Sequence, residues 1–323
     1  SVILAKTVKG WALGKGFEAR NMTHQKKSLE KSDWAYFRDL LEIPFTDSEL
    51  DDMPYYKPSS DSEEIKYLKE RRQKLGGFLP SRKSTYSGFH MPKDNAFSEF
   101  DKGTPKEQEV STTMAFVRLL RNLMKDEKIG NLIVPIVPDE ARTFGMEALF
   151  TEFKIYNAQG QIYTPVDSQL LLSYKESESG QILEEGISEA GAMSSFTAAG
   201  MAYSTVGKPT IPFYIYYSMF GFQRVGDQIW CAADSRTKGF LLGATAGRTT
   251  LNGEGLQHQD GHSLLTSSTV PNCLSYDAAF AYEIGIIVKE GLRRMYENNE
   301  DIFYYLTLYN ENYPMPALPK NCE

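Results

Sequence analysis

The chain has 323 residues, of which 41% are apolar, and a net charge of −7. Its length and apolar content predict a substantial hydrophobic core, divided between two units. The acidic balance argues against a nucleic-acid-binding surface, which needs a basic face. The three cysteines are an odd number without metal-ligand spacing, and no apolar run reaches the roughly 18 residues of a membrane span. With no visible signal peptide, we expect a cytoplasmic protein without a membrane partner.

The N-terminal part of the chain has short and broken patterns. Val2–Ala5 is strand-like and has no element before it, which indicates a fragment of a longer protein. Residues 10–30 form a loop rich in glycine and lysine that holds His24. A charged helix over 62–75 is expected to end at a pair of glycines. Residues 76–110 are rich in proline, serine, glycine and charge, which predicts a linker.

From residue 111 the pattern alternates between helices and strands. Continuous apolar runs predict buried strands, and apolar residues at three- to four-residue spacing predict amphipathic helices. The predicted strands are 132–137, 210–219, 239–244 and 302–308, and the predicted helices are 111–128, 185–205 and 276–297. This alternation predicts an α/β fold in which a mostly parallel sheet carries helices on both faces.

Three unusual segments, 138–145, 220–227 and 247–263, follow predicted strands, at the edge where such sheets bind ligands. The last is the most informative, because it places His258 and His262 four residues apart among glycines and carboxylates. Imidazoles exchange protons near neutral pH, and glycines permit tight turns. The segment therefore predicts a substrate contact or a proton-transfer site. Metal binding is the weaker interpretation, because no third ligand has a characteristic spacing.

Other candidate residues each have two interpretations. Glu189 lies in a helix of small residues, where a carboxylate buried without a partner could exchange a proton with a ligand nitrogen. A partly exposed helix glutamate fits the composition better. Glu140 could bind a polar ligand or favour a helix N-terminus electrostatically. Tyr217 and Phe220 could clamp a flat heteroaromatic ring or pack in the core.

Several long motifs resemble one known family over essentially the whole chain. They are Lys6–Gly10, Asn21–Gln25, Asp139–Glu147, Tyr214–Arg224 and Gly247–His258. The family is that of the homodimeric bacterial pyruvate dehydrogenases, the thiamine-diphosphate-dependent decarboxylating components of their complexes. The resemblance implies the thiamine-diphosphate-binding, transketolase-like fold. In it, residues 1–75 correspond to the end of the diphosphate-binding domain, with a mobile active-site loop, and 111–323 to the pyrimidine-binding domain.

The same resemblance implies an activity, cofactors and partners. The activity is oxidative decarboxylation of pyruvate, with transfer of the acetyl group to a lipoyl domain of dihydrolipoamide acetyltransferase. The implied cofactors are thiamine diphosphate and Mg²⁺. The family's Gly-Asp-Gly motif, which holds both the metal and the diphosphate, is absent from the chain. Those ligands are therefore expected upstream, no metal ligand is assigned here, and the fragment alone is expected to be inactive.

Residue roles carry over motif by motif, beginning with the cofactor contacts. Glu189 resembles the glutamate that hydrogen-bonds the aminopyrimidine ring and thereby promotes removal of the proton from the thiazolium carbon. Glu140 resembles a second active-site acid, and Tyr217 and Phe220 resemble the ring contacts to the pyrimidine. The resemblance, and not the composition around Glu189, favours the functional interpretation of this residue.

The resemblance also implies roles for the basic residues. His258 resembles a histidine near the reacting centre. His24 resembles the histidine of a mobile loop that orders over the bound intermediate and assists reductive acetylation of the lipoyl group. Lys9 resembles a loop lysine near the same site, and His262 is assigned only a supporting role.

Three alternatives remain open at this point. A non-catalytic dimerisation or scaffold unit would need none of the acids and histidines, so their joint presence disfavours it. A transketolase-like enzyme would share the fold of the pyrimidine-binding domain. The aromatic motif at 212–222 and the block at 247–258 resemble the pyruvate enzyme more closely. A histidine-dependent metal hydrolase is a weaker alternative, which predicts stoichiometric zinc.

Overall fold

The computed structural model of the chain describes residues 2–78, 86–139, 141–166, 168–169, 174–247 and 254–320. The chain divides into two compact units, Ser1–Leu79 and Pro80–Glu323. This boundary falls within the segment predicted as a linker, while the matching of the family's domains to residue ranges stays a prediction. In the described ranges, no helix is long and apolar enough to cross a membrane.

The first unit contains two helices, α1 (Lys31–Leu40) and α2 (Glu63–Lys74), and neither has a buried residue. Helix α2 follows the expected bounds, and the hydroxyl of Ser62 caps it by accepting from the backbone N–H of Ile65 at 3.4 Å. The expected strand at Val2–Ala5 is wrong, because these residues pair with no described strand and are exposed to solvent.

The second unit contains all of the strands that the structure describes. Its helices are α3 (Thr112–Met124), α4 (Glu147–Phe153), α5 (Glu189–Gly200), α6 (Ala202–Thr205), α7 (Phe222–Asp234), α8 (Ser263–Ser267) and α9 (Ala281–Leu292), which continues into a π-helical turn, Arg293–Glu297. Its strands are β1 (Ile133–Val137), β2 (Ile155–Tyr156), β3 (Glu176–Ser177), β4 (Leu183–Glu184), β5 (Ile211–Tyr217), β6 (Phe240–Ala244), β7 (Cys273–Asp277) and β8 (Phe303–Thr307).

Six of these strands form one sheet in the order β4-β1-β5-β6-β8-β7, and β2 pairs separately with β3. Every strand pair is parallel. The central strands β5, β6 and β8 are almost entirely buried, which explains why they are continuous apolar runs instead of alternating ones. The four predicted strands correspond to β1, β5, β6 and β8 and are confirmed to within two residues.

Helices cover both faces of the main sheet. Phe213 and Tyr214 are consecutive in β5, so their side chains point to opposite faces. The ring of Phe213 packs on Phe116 of α3, with the centroids 5.7 Å apart, and α9 packs against α3. The ring of Tyr214 packs on Phe196 of α5, with the centroids 6.5 Å apart, and α7 packs against α5. The predicted α/β class is confirmed.

Three features differ from the prediction. Residues 276–277 belong to β7, so the long C-terminal helix begins only at Ala281. The segment at 220–227, for which no helix was predicted, includes the start of α7. Phe97 and Phe100, from the predicted linker, are buried in the core of the second unit and are not exposed on a surface.

Candidate active site

The segments that follow β1, β5 and β6 lie side by side, because these three strands are neighbours in the sheet. The hydroxyl of Tyr217, at the end of β5, donates to the hydroxyl oxygen of Thr143 beyond β1 at 3.3 Å. Beyond β6, Gly247 pairs with Asp260 in an antiparallel bridge. The segments singled out in the sequence therefore meet at one edge of the sheet, as the general rule for parallel sheets predicts.

Glu189 is the first residue of α5 and is 7% exposed. Its burial follows from its surroundings, since α5 is made of small residues that allow α7 to pack closely against it. The hydroxyl of Ser188 caps the helix by accepting from the N–H of Gly191 at 3.1 Å. The positive end of the helix dipole therefore lies beside the carboxylate.

Glu189 is not buried alone, because Arg224 of α7 lies against it. Nη1 of Arg224 is 3.1 Å from Oε1 and 3.2 Å from Oε2 of Glu189. The guanidinium also stacks on the ring of Phe220, 3.8 Å from the ring centroid. A single donor nitrogen leaves the carboxylate with further lone pairs that can accept from a ligand. Sequence reasoning missed Arg224, although it is the only charged residue in the aromatic motif Tyr214–Arg224.

An aromatic cluster surrounds His258. The imidazole lies 5.0 Å, between centroids, from the rings of both Tyr217 and Phe220, edge to face. Phe144, from the segment after β1, also packs on Tyr217, with the ring centroids 5.4 Å apart. Tyr217 and Phe220 are only partly buried, so the pair is not merely part of the core. Through Arg224, which touches Phe220, the cluster is continuous with Glu189.

The two ring nitrogens of His258 have different surroundings. Nε2 lies 3.7 Å from the carboxylate of Glu254. Nδ1 is buried, and no atom of the described residues forms a hydrogen bond with it. Buried polar atoms are nearly always paired, so this imidazole nitrogen needs a partner that the described residues do not supply, such as a water or a ligand.

Backbone strain occurs where β6 ends. Thr245 is fully buried and has a φ of +55°, in the left-handed region that β-branched residues rarely adopt. Such a conformation costs on the order of 1–3 kcal/mol and is concentrated near functional sites. This left-handed conformation of Thr245 turns the chain out of the sheet towards Gly247, which precedes the segment that carries His258.

The first unit holds the other two candidate bases. Lys9 lies in a turn and His24 ends a 3-10 turn, Asn21–His24. The Lys9 ammonium is hydrogen-bonded to Nδ1 of His24, and both side chains are exposed. Lysine has only donors, so Nδ1 is the acceptor and the neutral ring carries its proton on Nε2. The sequence did not predict this contact, because it joins two turns of an irregular loop.

The structure thus brings the candidate residues together in two groups, one within each unit. Glu189, Tyr217, Phe220 and His258 form one group, in the second unit. Lys9 and His24 form the other. Glu140 lies outside the described residues. Across the described ranges, no three His, Cys, Asp or Glu side chains are arranged to hold a metal ion. The catalytic and cofactor-binding roles assigned to these residues stay predictions.

Comparison with solved structures shows the fold. A transketolase from Campylobacter jejuni has a TM-score of 0.56 and 14% identity, over 96% of this chain and 42% of the transketolase chain. A mutant transketolase from Pichia stipitis has a TM-score of 0.50 and 17% identity, over 88% of this chain and 35% of its own. The predicted transketolase-like fold is therefore confirmed.

Comparison with curated proteins shows the family. Three relatives named pyruvate dehydrogenase E1 component match 100% of this chain: those of Mycolicibacterium smegmatis (56% identity, 35% of the relative), Pseudomonas aeruginosa (54%, 36%) and Escherichia coli K12 (50%, 36%). The chain spans about a third of their length. Residues 91–316 match the model of the pyruvate dehydrogenase E1 component middle domain, and the chain belongs to that family.

Proposed function

We propose that the protein containing this chain catalyses thiamine-diphosphate-dependent oxidative decarboxylation of pyruvate and transfers the acetyl group to a lipoyl domain of an acyltransferase. The names of the relatives, at 50–56% identity over the whole chain, support this proposal. The observation that carries it is the buried carboxylate of Glu189, joined through Arg224 to the rings around His258.

The second unit suits the aminopyrimidine part of the cofactor. A flat heteroaromatic ring needs apolar ring contacts together with a few polar groups that fix its orientation. Tyr217 and Phe220 offer the ring surfaces, and Glu189 offers a buried acceptor with lone pairs to spare. The orphaned Nδ1 of His258 is a further polar atom that a ligand could satisfy. We propose that Glu189, Tyr217 and Phe220, together with Glu140, hold the pyrimidine.

When bound, thiamine diphosphate supplies the carbon nucleophile and the electron sink for decarboxylation of a 2-oxo acid. In our proposal, Glu189 holds a proton at the ring nitrogen, where a buried carboxylate interacts more strongly than it would in water. Arg224, whose Nη1 contacts both carboxylate oxygens, fixes the rotamer of Glu189. His258 lies on the aromatic side of the site, where it can donate or accept a proton at the substrate.

The first unit is proposed to act in acetyl transfer. Because Lys9 donates to Nδ1 of His24, the opposite nitrogen of the neutral imidazole carries the proton. His24 can therefore donate from Nε2 to an incoming group, and Lys9 fixes the tautomer. We assign both residues to the step that reductively acetylates the lipoyl group.

The proposal also includes a metal site, a subunit arrangement and a cellular location. We propose that residues outside the chain bind Mg²⁺ and the diphosphate, since the corresponding motif is absent from the sequence. We further propose a homodimeric parent protein that works in the cytoplasm. Cys231 and Cys273 are both free thiols, which is in accord with a reducing compartment.

The test measures carbon dioxide release from pyruvate by the full-length parent protein, with thiamine diphosphate and Mg²⁺ supplied and with an oxidised lipoyl domain as the acceptor of the electrons and the acetyl group. We expect the Glu189→Gln variant to lose about 100-fold or more of the wild-type turnover, as is usual when a proton-transfer group is removed. Glu152→Gln is the matched control, because Glu152 is an exposed residue of α4 that forms surface ion pairs with Arg121 and Lys125. We expect it to keep wild-type turnover.

The outcomes separate the proposed reaction from the proposed role. A wild-type protein that releases no carbon dioxide would overturn the reaction and favour the scaffold alternative. Turnover in Glu189→Gln that stays within about threefold of wild type would leave the reaction in place but overturn the role of Glu189, since proton-transfer groups contribute far more than this.

A further inference from the structure

A buried carboxylate anchors the segment that carries His258. Asp260 is two residues after His258 and is 3% exposed. Its Oδ1 accepts from the backbone N–H groups of His262 at 3.1 Å and Ser263 at 3.0 Å. Its Oδ2 accepts from the Ser263 hydroxyl. The N–H of Asp260 itself donates to the carbonyl of Gly247 at 3.2 Å. The carboxylate therefore accepts three hydrogen bonds from the segment that follows it, although it is removed from water.

This anchor is connected to the interior of the sheet. The hydroxyl of Tyr305, a fully buried residue of β8, donates to Oγ of Ser263 at 2.8 Å. Burial raises the pKa of Tyr305 well above its usual range, so the hydroxyl keeps its proton and remains a donor. Strand β8 pairs with β6, and β6 pairs with β5, the strand that presents Tyr217. Asp260 is thus joined, through Ser263 and Tyr305, to the same sheet that presents Tyr217.

His262 connects Asp260 to the turn that presents Phe220. Its Nδ1 lies 3.7 Å from Oδ1 of Asp260. Its Nε2 donates to the side-chain oxygen of Gln223 at 3.1 Å, in the amide orientation that lets Gln223 donate to the carbonyls of Ser218 and Met219 at 3.2 Å each. These carbonyls belong to the turn that presents Phe220. The hydrogen bonds of Asp260, His262 and Gln223 therefore join the turn at Phe220 to the chain that follows His258.

We infer that Asp260 is a positioning residue for His258, acting through Ser263, Tyr305 and His262 to hold the imidazole against Tyr217 and Phe220. This inference deepens the proposed function and rests on it, because the position of His258 affects turnover only if the site is catalytic. Displacing a catalytic group by about 1 Å can reduce the rate on the order of 100-fold. The segment contains glycines at positions 255 and 261, so its own backbone would not hold the imidazole in one place.

The test uses Asp260→Asn, His258→Ala and the double variant in the full-length enzyme. Asparagine keeps the size of the side chain but has a donor where Oδ2 accepts from Ser263, which disrupts the network. We expect Asp260→Asn to reduce pyruvate decarboxylation about tenfold to 100-fold. In the His258→Ala background the same substitution should have no further effect. A residue with only a structural role would give the same loss in both backgrounds.

A second readout does not depend on activity. Diethyl pyrocarbonate modifies accessible imidazole nitrogens, and peptide mass spectrometry gives the rate at His258 alone. Release of the segment in Asp260→Asn should raise that rate several-fold in the cofactor-free enzyme. The matched control is Glu283→Gln, because Glu283 also accepts two backbone N–H groups, from Ala279 and Phe280 at 2.8 Å each, but at the start of α9. It should change neither readout.

Each outcome decides the inference. The inference is overturned if the modification rate of His258 is unchanged in Asp260→Asn. It is also overturned if the double variant turns over more than about twofold more slowly than His258→Ala, because twofold is about the error to which independent effects add. If the wild-type enzyme does not decarboxylate pyruvate, the proposed function fails and the modification rate alone decides. If Asp260→Asn does not fold, Tyr305→Phe replaces it, with a smaller change expected in the same direction.

Discussion

Gly243 of β6 has no Cβ, and both the packing of the sheet and the contacts of the candidate site depend on this small size. A Cβ at this residue would lie 2.3 Å from the hydroxyl oxygen of Tyr305 and 3.0 Å from Cβ of Ser218. Real Cβ atoms do not approach other atoms this closely, so Gly243→Ala must displace the Tyr305 ring. The displaced hydroxyl can no longer donate to Ser263, from which it is now 2.8 Å away.

Two effects set the expected loss of stability. Adding a methyl group to a well-packed core costs about 1–3 kcal/mol, because side chains leave their preferred rotamers. Loss of a buried hydrogen bond adds about 1 kcal/mol. We therefore expect Gly243→Ala to lower the free energy of unfolding by about 2–4 kcal/mol, a large fraction of the stability of a typical domain.

The assay is urea-induced unfolding of the chain, followed by far-UV circular dichroism. The control is Gly226→Ala in α7, where a new Cβ meets nothing within 4 Å. Because alanine favours helix more than glycine does, this control should be unchanged or up to about 1 kcal/mol more stable. Opposite signs for two identical substitutions would exclude a general effect of replacing glycine.

A double-mutant cycle with Tyr305→Phe tests the mechanism itself. Phenylalanine removes the atom nearest to the new methyl group, so the double variant should be more stable than the sum of the two single losses predicts, by about 1 kcal/mol or more. The reasoning is refuted if Gly243→Ala loses less than about 0.5 kcal/mol, the range of ordinary surface substitutions. It is also refuted if the two substitutions are additive.

Three further predictions concern thiols and pH. Iodoacetamide at pH 8 should label the exposed Cys231 and not Cys273, whose pKa burial raises to about 12, and equal labelling by peptide mass spectrometry would contradict this. Because the unfolded thiol has a lower pKa, 9.0, the contribution of Cys273 to stability should be complete below pH 9 and fall as the pH rises towards 12. Denaturant unfolding should therefore show a shallower alkaline loss for Cys273→Ala. Burial lowers the pKa of Lys238 from 10.5 to about 8. Between these two pH values the unfolded chain therefore binds more protons than the folded chain, so the free energy of unfolding should rise with pH. The wild type should gain up to about 3 kcal/mol relative to Lys238→Met across this window, and parallel pH profiles would argue against the shift.

The sequence predicted the centre of the sheet well, because strands buried on both faces are continuous apolar runs. It missed β7, an edge strand of five residues whose last three are polar or partly exposed. Such a strand has no continuous apolar run, and its apolar start merges with the helix pattern that follows. Helix α7 was missed for another reason: its first residues continue the aromatic motif of β5, and the chain is non-helical at Val225.

The candidate site was predictable in its location but not in its contacts. The rule that ligands bind beyond the carboxyl ends of parallel strands placed three segments at one edge, and they meet there. Composition favoured a partly exposed Glu189, which is wrong, because the packing of α7 against α5 leaves the residue only 7% exposed. It could not indicate Arg224, because the pair is 35 residues apart in sequence and depends on how α7 packs against α5. The role of Asp260 likewise depends on Tyr305, which belongs to another strand.

The strand order has a consequence for how the protein is made. Among the described strands of the main sheet, β8 is synthesised last, yet it lies between β6 and β7. During synthesis, β6 and β7 therefore each have an unpaired edge until Phe303–Thr307 has emerged. Unpaired edges of apolar strands promote aggregation, and non-local parallel pairing is slow. We expect the nascent chain to need protection by chaperones at this stage, and the segment beyond β6 that carries His258 to become ordered only after translation has passed β8.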